Sequence, residues 1–583
     1  MQLTYTMRDP MQASQALSPN YSIFYAGDAY STAQKIMGRQ SAGKQLIRGL
    51  AIKYVDGKVN GIGPSRSGRQ SLELQLQNNG YRGELGFEVL PRAEQLKTVG
   101  TLYYPAPPTR ELAHWRERVG APQAFSLMGV THTLSSKGAA DQIADMVMPP
   151  FETWDALICT SKAAQVFVRN LHSEMKAYLR EALGASRFTD PQTPIIPLGI
   201  DAAAFARTTA QIKLARERLA VAEQEVVFFF AGRLSFHAKA NPLPMYWALE
   251  QASLRLKSNA AAAGVVVEHH PEAAEGGVGI VCLEAGVFPN EHIEQSFKAA
   301  QRAIAPHVRF LRVNGQDEIA YRMAWQAADV FVSLSDNIQE TFGLTPVEAM
   351  AAGLPVLIAD WNGYQDTVRH DRDGFKVPTV QAPAGAGESL ALRHMLDVDT
   401  YDMYIGRASL ATVVEPAALA GYTFALASDK TLRQQMGAEG RQRAISVFDW
   451  SVVLDHYNDL SAELRKIRQV AKPTYSQQWP ARTDPFKRFA HFSTGPLQSN
   501  WMIRPAPQAQ MRLGILASLA VANYGFDEEL LPKELPPSLL DHIVSRDGLR
   551  LNELIEHMGG ASEIWIRALM WLWKFDLIRL ADH

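Results

Sequence analysis

The sequence predicts an α/β fold with doubly wound parallel sheets, and three neighbouring segments support that prediction. Residues 328–334 (ADVFVSL) form a continuous apolar run of the kind that a parallel sheet buries on both faces. Residues 346–351 then place apolar side chains at helical spacing, with Gly353 as the stop signal, and residues 356–359 form a second apolar run. Strand, glycine-containing turn, helix and strand make a βαβ unit, and ligands in such sheets bind at the carboxyl ends of the strands.

The turn of this unit carries two carboxylates, Glu340 and Glu348, with Gly343 between them. Backbone N–H groups at a helix start favour an anion, and a glycine lets the backbone approach it closely. Carboxylates accept hydrogen bonds from hydroxyl pairs, which a sugar or a ribose provides. Placing both acids beside a phosphate requires cations elsewhere. Two acids at this spacing, taken alone, are also consistent with a solvated loop residue and a helix surface residue.

The neighbouring residues favour the first interpretation. Residues 340–356 (ETFGLTPVEAMAAGLPV) resemble the E-x7-E signature of retaining glycosyltransferases with the GT-B fold, especially family 4, within the glycosyl transferases group 1. Residues 228–234 (FFFAGRL) resemble the strand and loop that supply the phosphate-binding arginine, here Arg233, and Lys239 looks like its lysine partner. Residues 129–133 (GVTHT) resemble the loop that carries an active-site histidine. The resemblance covers residues from about 125 to 450.

The resemblance implies transfer of a sugar, with retention, from a nucleotide-diphosphate-sugar donor to an unidentified acceptor. Arg233 and Lys239 would neutralise the diphosphate, so neither a metal nor another cofactor is expected. Glu348 would accept the ribose hydroxyls, Glu340 would hold hydroxyls of the transferred sugar, and His132 would contact that sugar near the reacting carbon. The remaining donor-side candidates are Thr341, Phe342, Gly343 and Leu344 in the turn and Val313 and Asn314 in the base pocket.

The same resemblance predicts two Rossmann-like domains facing across a cleft. Residues 1–203 would form the acceptor-side domain and residues 204–450 the donor domain, and a helix at 451–471 would cross back onto the first. At the first helix, Arg39, Ser41 and Gly43 are acceptor-side candidates; the alternative is an ordinary helix start capped by Ser41.

Two stretches inside these domains do not fit the pattern. Residues 56–80 are turn-rich and are expected to be an irregular surface excursion. Residues from about 380 to 419 are expected to form a lid or a helical insertion, with a plain surface loop as the alternative.

Residues 472–583 are expected to be a linker followed by a mainly helical module. In residues 549–580, two amphipathic helices around a Gly-Gly turn and a short strand resemble a winged-helix module. Its second helix carries only Arg567 and Lys574, so nucleic-acid binding is not expected. An apolar, tryptophan-bearing surface favours a homo-oligomer or a protein partner.

Composition agrees with an ordinary globular α/β protein and argues against several other classes. The 58 Lys and Arg residues against 60 Asp and Glu residues leave a net charge of −2, so no global basic field recruits nucleic acid or an anionic membrane. Cys159 and Cys282, the two cysteines, lie in apolar runs and read as buried thiols of a reducing compartment. No apolar run reaches the roughly 18 residues of a spanning helix, and the amino terminus has no signal-peptide pattern, so a cytoplasmic protein is expected.

Two rival functions remain open from the sequence. One is another GT-B enzyme, a sugar-nucleotide epimerase or a phosphorylase. The other is a non-catalytic scaffold or nucleic-acid-associated protein that acts through the carboxyl-terminal module. No Gly-x-x-x-x-Gly-Lys-Ser/Thr loop is present in the sequence, which argues against a nucleotide triphosphatase.

Overall fold

Two six-stranded parallel sheets and two small antiparallel sheets organise the described part of the protein, whose structure is a computed structural model. The structure describes residues 18–30, 38–262, 279–474, 479–558 and 563–581. The chain divides into two compact units, and the second begins at Trp479. Across the described ranges, every helix is too short or too polar to cross a membrane.

The first sheet has the strand order β3-β2-β1-β4-β5-β6, with parallel pairing throughout. This order is that of a doubly wound Rossmann-like sheet. Its strands are β1 (Ser22–Phe24), β2 (Lys58–Gly63), β3 (Glu84–Val89), β4 (Thr101–Tyr104), β5 (Ser126–Val130) and β6 (Ala156–Ile158). Its helices are α1 (Gly38–Lys53), α2 (Arg66–Asn78), α3 (Glu94–Val99), α4 (Arg110–Val119), α5 (Lys137–Asp145) and α6 (Lys162–Leu183).

Strand β2 and helix α2 occupy most of residues 56–80, so the predicted surface excursion is wrong. β2 pairs with β1 and β3 and is buried over all but its first residue. A Cβ atom on Gly61 would lie 2.8 Å from a Leu72 methyl carbon and 2.9 Å from the Phe87 ring. Gly61 is therefore needed for α2 and β3 to pack closely on the strand.

The second sheet has the strand order β12-β11-β10-β7-β8-β9, and it is also parallel and doubly wound. Its strands are β7 (Val226–Ala231), β8 (Ile280–Gly286), β9 (Arg309–Asn314), β10 (Val330–Ser333), β11 (Val356–Ala359) and β12 (Gly374–Val377). Its helices are α7 (Thr209–Arg218), α8 (Leu243–Ala262), α9 (Glu291–Ile304), α10 (Glu318–Ala327), α11 (Leu344–Ala351), α12 (Tyr364–Thr367), α15 (Pro416–Ser428) and α16 (Lys430–Arg443). Two doubly wound sheets of this kind confirm the predicted α/β GT-B architecture.

An insertion segment, defined as residues 379–414, interrupts the second domain between β12 and α15. It consists of β13 (Thr379–Gln381), α13 (Glu388–Met395), α14 (Tyr401–Ser409) and β14 (Thr412–Val414), and its two strands pair antiparallel. The predicted helical insertion is therefore confirmed, and the alternative of a plain surface loop is wrong.

Helix α17 (Trp450–Val470) packs on the first domain. The Trp450 ring fits where Gly49 and Gly199 lack side chains, since a Cβ atom on either glycine would lie 2.4 Å from the ring. Farther along the helix, the Asn458 amide donates to the Tyr54 hydroxyl at 2.8 Å. Close packing and buried polar contacts together hold this helix against the first sheet.

The second unit contains three strands and six α-helices among its described residues. They are α18 (Pro485–Arg488), β15 (Met502–Pro505), α19 (Ala509–Leu516), α20 (Ala520–Asn523), α21 (Leu535–Val544), β16 (Leu549–Arg550), α22 (Leu551–His557), α23 (Glu563–Lys574) and β17 (Ile578–Ala581). The strands form an antiparallel sheet in the order β16-β15-β17. The predicted helix pair and final strand are present, whereas the Gly-Gly turn between the helices lies outside the described residues.

Candidate active site

The predicted cations and the predicted acid of the E-x7-E turn meet at the carboxyl ends of two adjacent strands. Arg233 and Lys239 follow β7, and Glu340 follows its neighbour β10. Lys239 Nζ lies 2.5 Å from Glu340 Oε2, with both side chains less than one-fifth exposed. Arg233 Nη2 donates to the Ala238 carbonyl at 3.0 Å and to Gln339 Oε1 at 3.2 Å. The structure therefore brings together residues that are about 100 positions apart in sequence.

Lys239 and Glu340 hold each other in the charged state. Burial alone would raise the pKa of Glu340, but Lys239 and the backbone N–H groups of Phe342 and Thr341 outweigh it and lower that pKa. Burial likewise opposes the charge on Lys239, yet the Glu340 carboxylate raises the pKa of the ammonium group. The pair is thus ionised across the neutral pH range.

The turn after Glu340 depends on a glycine. Gly343 has a φ of +84°, and a Cβ atom there would lie 1.9 Å from Tyr364 Cε1. Tyr364 is fully buried, and its hydroxyl lies 2.8 Å from Ser333 Oγ. Tyr364 was not among the residues predicted from the sequence, and its packing beneath Gly343 becomes visible in three dimensions. Leu344 begins helix α11, for which Gly343 is the N-cap.

Two other carboxyl groups of this loop and helix titrate near neutrality. Burial raises the pKa of Glu348 to about 7, with Lys239 partly opposing the shift. Burial also raises the pKa of Asp336 to about 7. Asp336 is 6% exposed, and its Oδ1 atom has no hydrogen-bond partner within the described part of the chain. Sequence reasoning did not identify Asp336, because an aspartate in a loop is ordinarily solvated.

The histidine predicted from the first domain lies against the acidic turn of the second. Thr341 Oγ1 donates to the His132 carbonyl at 2.7 Å, and Ser161 Oγ donates to the Thr341 carbonyl at 2.9 Å. His132 follows β5 and Ser161 follows β6, so the carboxyl ends of the strands of both sheets meet at the acidic turn. This is the position at which doubly wound sheets bind ligands.

The base-pocket candidates lie two strands away from β7, at the end of β9. Val313 is 5% exposed and belongs to the core, whereas Asn314 is exposed. The backbone is closely packed beside them, because a Cβ atom on Gly286 would lie 1.9 Å from the Gly232 carbonyl oxygen. Gly286 thus permits the ends of β7 and β8 to approach each other closely, and a base-binding role for Val313 and Asn314 stays a prediction.

The acceptor-side candidates are described only in part. Arg39, Ser41 and Gly43 all belong to helix α1, while the side chains of Arg39 and Ser41 lie outside the described residues. A Cβ atom on Gly43 would lie 2.1 Å from the Ala29 carbonyl oxygen, so this glycine permits close packing of the helix. An acceptor-binding role for these three residues stays a prediction.

Basic side chains pair with both aspartates of the Asp-x-Asp sequence in the insertion segment. Asp397 pairs with Lys137, and Asp399 accepts from both Arg393 and Arg407 at 2.9 Å. Within the described ranges, no group of three or more His, Cys, Asp or Glu side chains is placed to hold a metal ion.

Comparison with known proteins places the acidic turn in a family. Residues 285–391 match the family described as glycosyl transferases group 1. A D-inositol 3-phosphate glycosyltransferase of Geodermatophilus obscurus is 32% identical over 283 residues, which are 48% of this chain and 55% of the relative. A phosphatidyl-myo-inositol mannosyltransferase of Mycobacterium leprae is 31% identical over 162 residues, which are 27% of this chain and 33% of the relative. The chain thus spans about half the length of the first relative and less of the second.

Among solved structures, Anabaena Alr3699/HepE in complex with UDP-glucose is 16% identical, with 76% of this chain and 98% of that chain covered and a TM-score of 0.45. A likeness this distant carries no argument about the site. The matched residues include Glu340, Glu348 and the turn between them, so the predicted resemblance to this family is confirmed, while family 4, retention and the roles of these two residues stay predictions. The second doubly wound domain of this chain is thus similar to the glycosyl transferases group 1 over residues 285–391.

Proposed function

We propose that this protein is a retaining glycosyltransferase that moves a sugar from a nucleotide-diphosphate-sugar to an acceptor without a metal ion. The observation that carries the proposal is the ion pair of Lys239 and Glu340, formed at the edge where both sheets present their carboxyl ends. It lies beside a turn that matches the glycosyl transferases group 1.

The two cations match the charge of the leaving group. A nucleotide-sugar carries a diphosphate, and departure of the nucleotide adds negative charge that must be stabilised in the transition state. Arg233 supplies a planar fork suited to phosphate oxygens, and Lys239 supplies a compact charge. Both are partly buried, so their interaction with a phosphate is screened less than in bulk water. Charge compensation by these side chains supports catalysis without a metal.

The carboxylates supply the acceptors that a sugar nucleotide requires. Glu348 would receive the two ribose hydroxyls, and Glu340, already fixed by Lys239, would receive hydroxyls of the transferred sugar. His132 would contact that sugar from the opposite domain, since its carbonyl is bonded to Thr341 beside Glu340. Retention follows from the resemblance: the leaving phosphate would help to take the acceptor proton on the same face of the sugar.

The names of the curated relatives suggest the first acceptors to test. One relative is named for D-inositol 3-phosphate and the other for phosphatidyl-myo-inositol. Inositol and its phosphate or lipid derivatives are therefore the acceptor class that we propose to screen first.

Calorimetric titration with UDP, GDP and ADP tests the proposal without requiring an acceptor. We expect one of these nucleotides to bind the full chain, and we expect Lys239→Met to weaken that binding by at least about tenfold, or 1.4 kcal/mol. Lys213→Met is the matched control, because Lys213 lies on α7 of the same domain with a side chain that is 80% exposed. Absence of binding for all three nucleotides, or equal affinity for the wild type and Lys239→Met, would contradict the proposal.

A further inference from the structure

The insertion segment reaches across to the loop that carries His132. The Tyr401 hydroxyl, at the start of α14, lies 2.8 Å from Ser135 Oγ and 3.1 Å from Thr133 Oγ1. Both hydroxyls belong to residues 131–136, which follow β5 and are called the histidine loop below. The partners are more than 260 positions apart in sequence. A donor-domain tyrosine thus meets the first domain immediately after the histidine.

A second contact fixes the same part of the insertion segment. Lys137, the first residue of α5, pairs with the Asp397 carboxylate and also donates to the Met395 carbonyl at 3.4 Å. On its other side, the segment packs on the loop between Arg233 and Lys239. A Cβ atom on Gly406 would lie 2.8 Å from His237 Cβ, so α14 and that loop are in close contact. The insertion segment therefore contacts both the loop between Arg233 and Lys239 and the histidine loop.

Side-chain contacts join the two helices of the insertion segment that present Tyr401. Asp399 is 4% exposed and accepts hydrogen bonds from Arg393 on α13 and Arg407 on α14, so it ties the two helices together. His394 stacks on Tyr404 at a centroid distance of 4.5 Å. A tyrosine hydroxyl presented by helices that are joined in this way fixes the position of the residues with which it forms hydrogen bonds.

We propose that Tyr401 is a positioning residue that holds the histidine loop against the acidic turn. Thr341 forms a hydrogen bond with the His132 carbonyl of this loop. Tyr401 forms hydrogen bonds with the loop one and three residues later, at Thr133 and Ser135. Together, the contacts of Thr341 and Tyr401 with the histidine loop hold His132 in one position relative to Glu340. The catalytic consequence of this arrangement rests on the proposed function, whereas the ordering of the loop does not.

The contacts predict which quantity changes when the Tyr401 hydroxyl is lost. Nucleotide affinity would depend on Arg233, Lys239 and Glu348, none of which bonds to Tyr401. Alignment of His132 with the sugar would depend on the histidine loop. We therefore expect slower turnover with unchanged nucleotide binding.

Amide hydrogen exchange on the full chain, without any substrate, tests the ordering directly. Because Tyr401→Phe removes two hydrogen bonds, we expect exchange of residues 131–136 to become about tenfold faster. Tyr404→Phe is the matched control, since it removes a hydroxyl from the same helix that bonds to neither Thr133 nor Ser135. Unchanged exchange in Tyr401→Phe, or equal acceleration in Tyr404→Phe, would overturn the proposal.

Kinetics tests the positioning role. Tyr401→Phe should lower kcat for nucleotide-sugar hydrolysis by about tenfold, with dissociation constants for UDP, GDP and ADP within about twofold of the wild type. Adding Ser135→Ala to Tyr401→Phe should change kcat little further, because the bond is already absent. Faster exchange with unchanged kcat would also overturn the proposal. A wild type that binds no nucleotide would refute the proposed function, and the exchange experiment would still decide whether Tyr401 orders the loop.

Discussion

Lys239 Nζ and Glu340 Oε2 lie 2.5 Å apart at the carboxyl ends of adjacent strands, and each favours the charged form of the other despite burial. A partly buried pair of this kind is costly to break on one side, because the remaining charge stays desolvated. The pair therefore links the stability of the domain to the chemistry that we assign to it.

Breaking the pair should show coupling in unfolding experiments. We expect Glu340→Leu to lower the free energy of unfolding by about 1–3 kcal/mol, because Lys239 is then buried without its carboxylate. Lys239→Met combined with Glu340→Leu should recover part of that loss, giving a coupling of about 1–2 kcal/mol in a double-mutant cycle. Urea denaturation of the four proteins measures it. Strictly additive effects would show that the two charges do not interact.

Nucleotide binding should depend on pH through Glu348. Its pKa is raised to about 7, and only the ionised carboxylate accepts both ribose hydroxyls, so affinity should rise as pH rises. If only that form binds, the dissociation constant should fall by about tenfold between pH 6 and pH 8.

The control for this experiment is Glu348→Gln, because the terminal phosphate of a nucleoside diphosphate also titrates near pH 6. The difference between the wild type and the variant removes the contribution of the phosphate. Calorimetric titration at several pH values measures both proteins. A pH dependence that is the same in the variant would exclude Glu348 as the titrating group.

Gly343 should not tolerate a side chain. Gly343→Ala places a Cβ atom 1.9 Å from Tyr364 and requires alanine at a φ of +84°. We expect a loss of about 3 kcal/mol in the free energy of unfolding from overpacking and backbone strain. Gly421→Ala is the matched control, since it lies in α15 with nothing within 4 Å, and it should be neutral or stabilise by up to about 1 kcal/mol. Equal melting temperatures for both variants would refute the packing argument.

Chelation should leave activity intact. Arg233 and Lys239 are expected to offset the diphosphate charge, and Asp397 and Asp399 already pair with basic side chains. We therefore expect nucleotide-sugar hydrolysis to continue in the presence of EDTA. Loss of hydrolysis with EDTA and its restoration by manganese would contradict the metal-independent mechanism.

The sequence predicted those parts of the candidate site that a short stretch of neighbouring residues specifies. Strands β7, β10 and β11 are apolar runs, and the acidic turn has a motif specific enough to place Glu340 and Glu348. Strand β2 was missed because Gly61 lowers the strand propensity of that segment. The reason for a glycine at this position is the close packing of Leu72 and Phe87 on the strand. A local pattern could not reveal that packing.

The contacts that organise the site are also non-local. Tyr364 beneath Gly343 and Tyr401 against the histidine loop join segments that only the fold brings together. The burial that raises the pKa of Asp336 is likewise set by the surrounding structure, and its sequence position resembles that of any loop acid. The sequence therefore predicted candidate chemical groups, while the structure supplied the contacts that orient them.

The most direct test of the central claim is release of nucleoside diphosphate from a panel of UDP-, GDP- and ADP-sugars, with Arg233→Ala and Arg302→Ala beside the wild type. The wild type should hydrolyse one donor of the panel. Arg233→Ala should lose about 2–4 kcal/mol of transition-state stabilisation in kcat/KM. Arg302→Ala, which changes an exposed residue of α9, should match the wild type. Hydrolysis of no donor, or hydrolysis that is equal in a folded Arg233→Ala variant, would contradict the account.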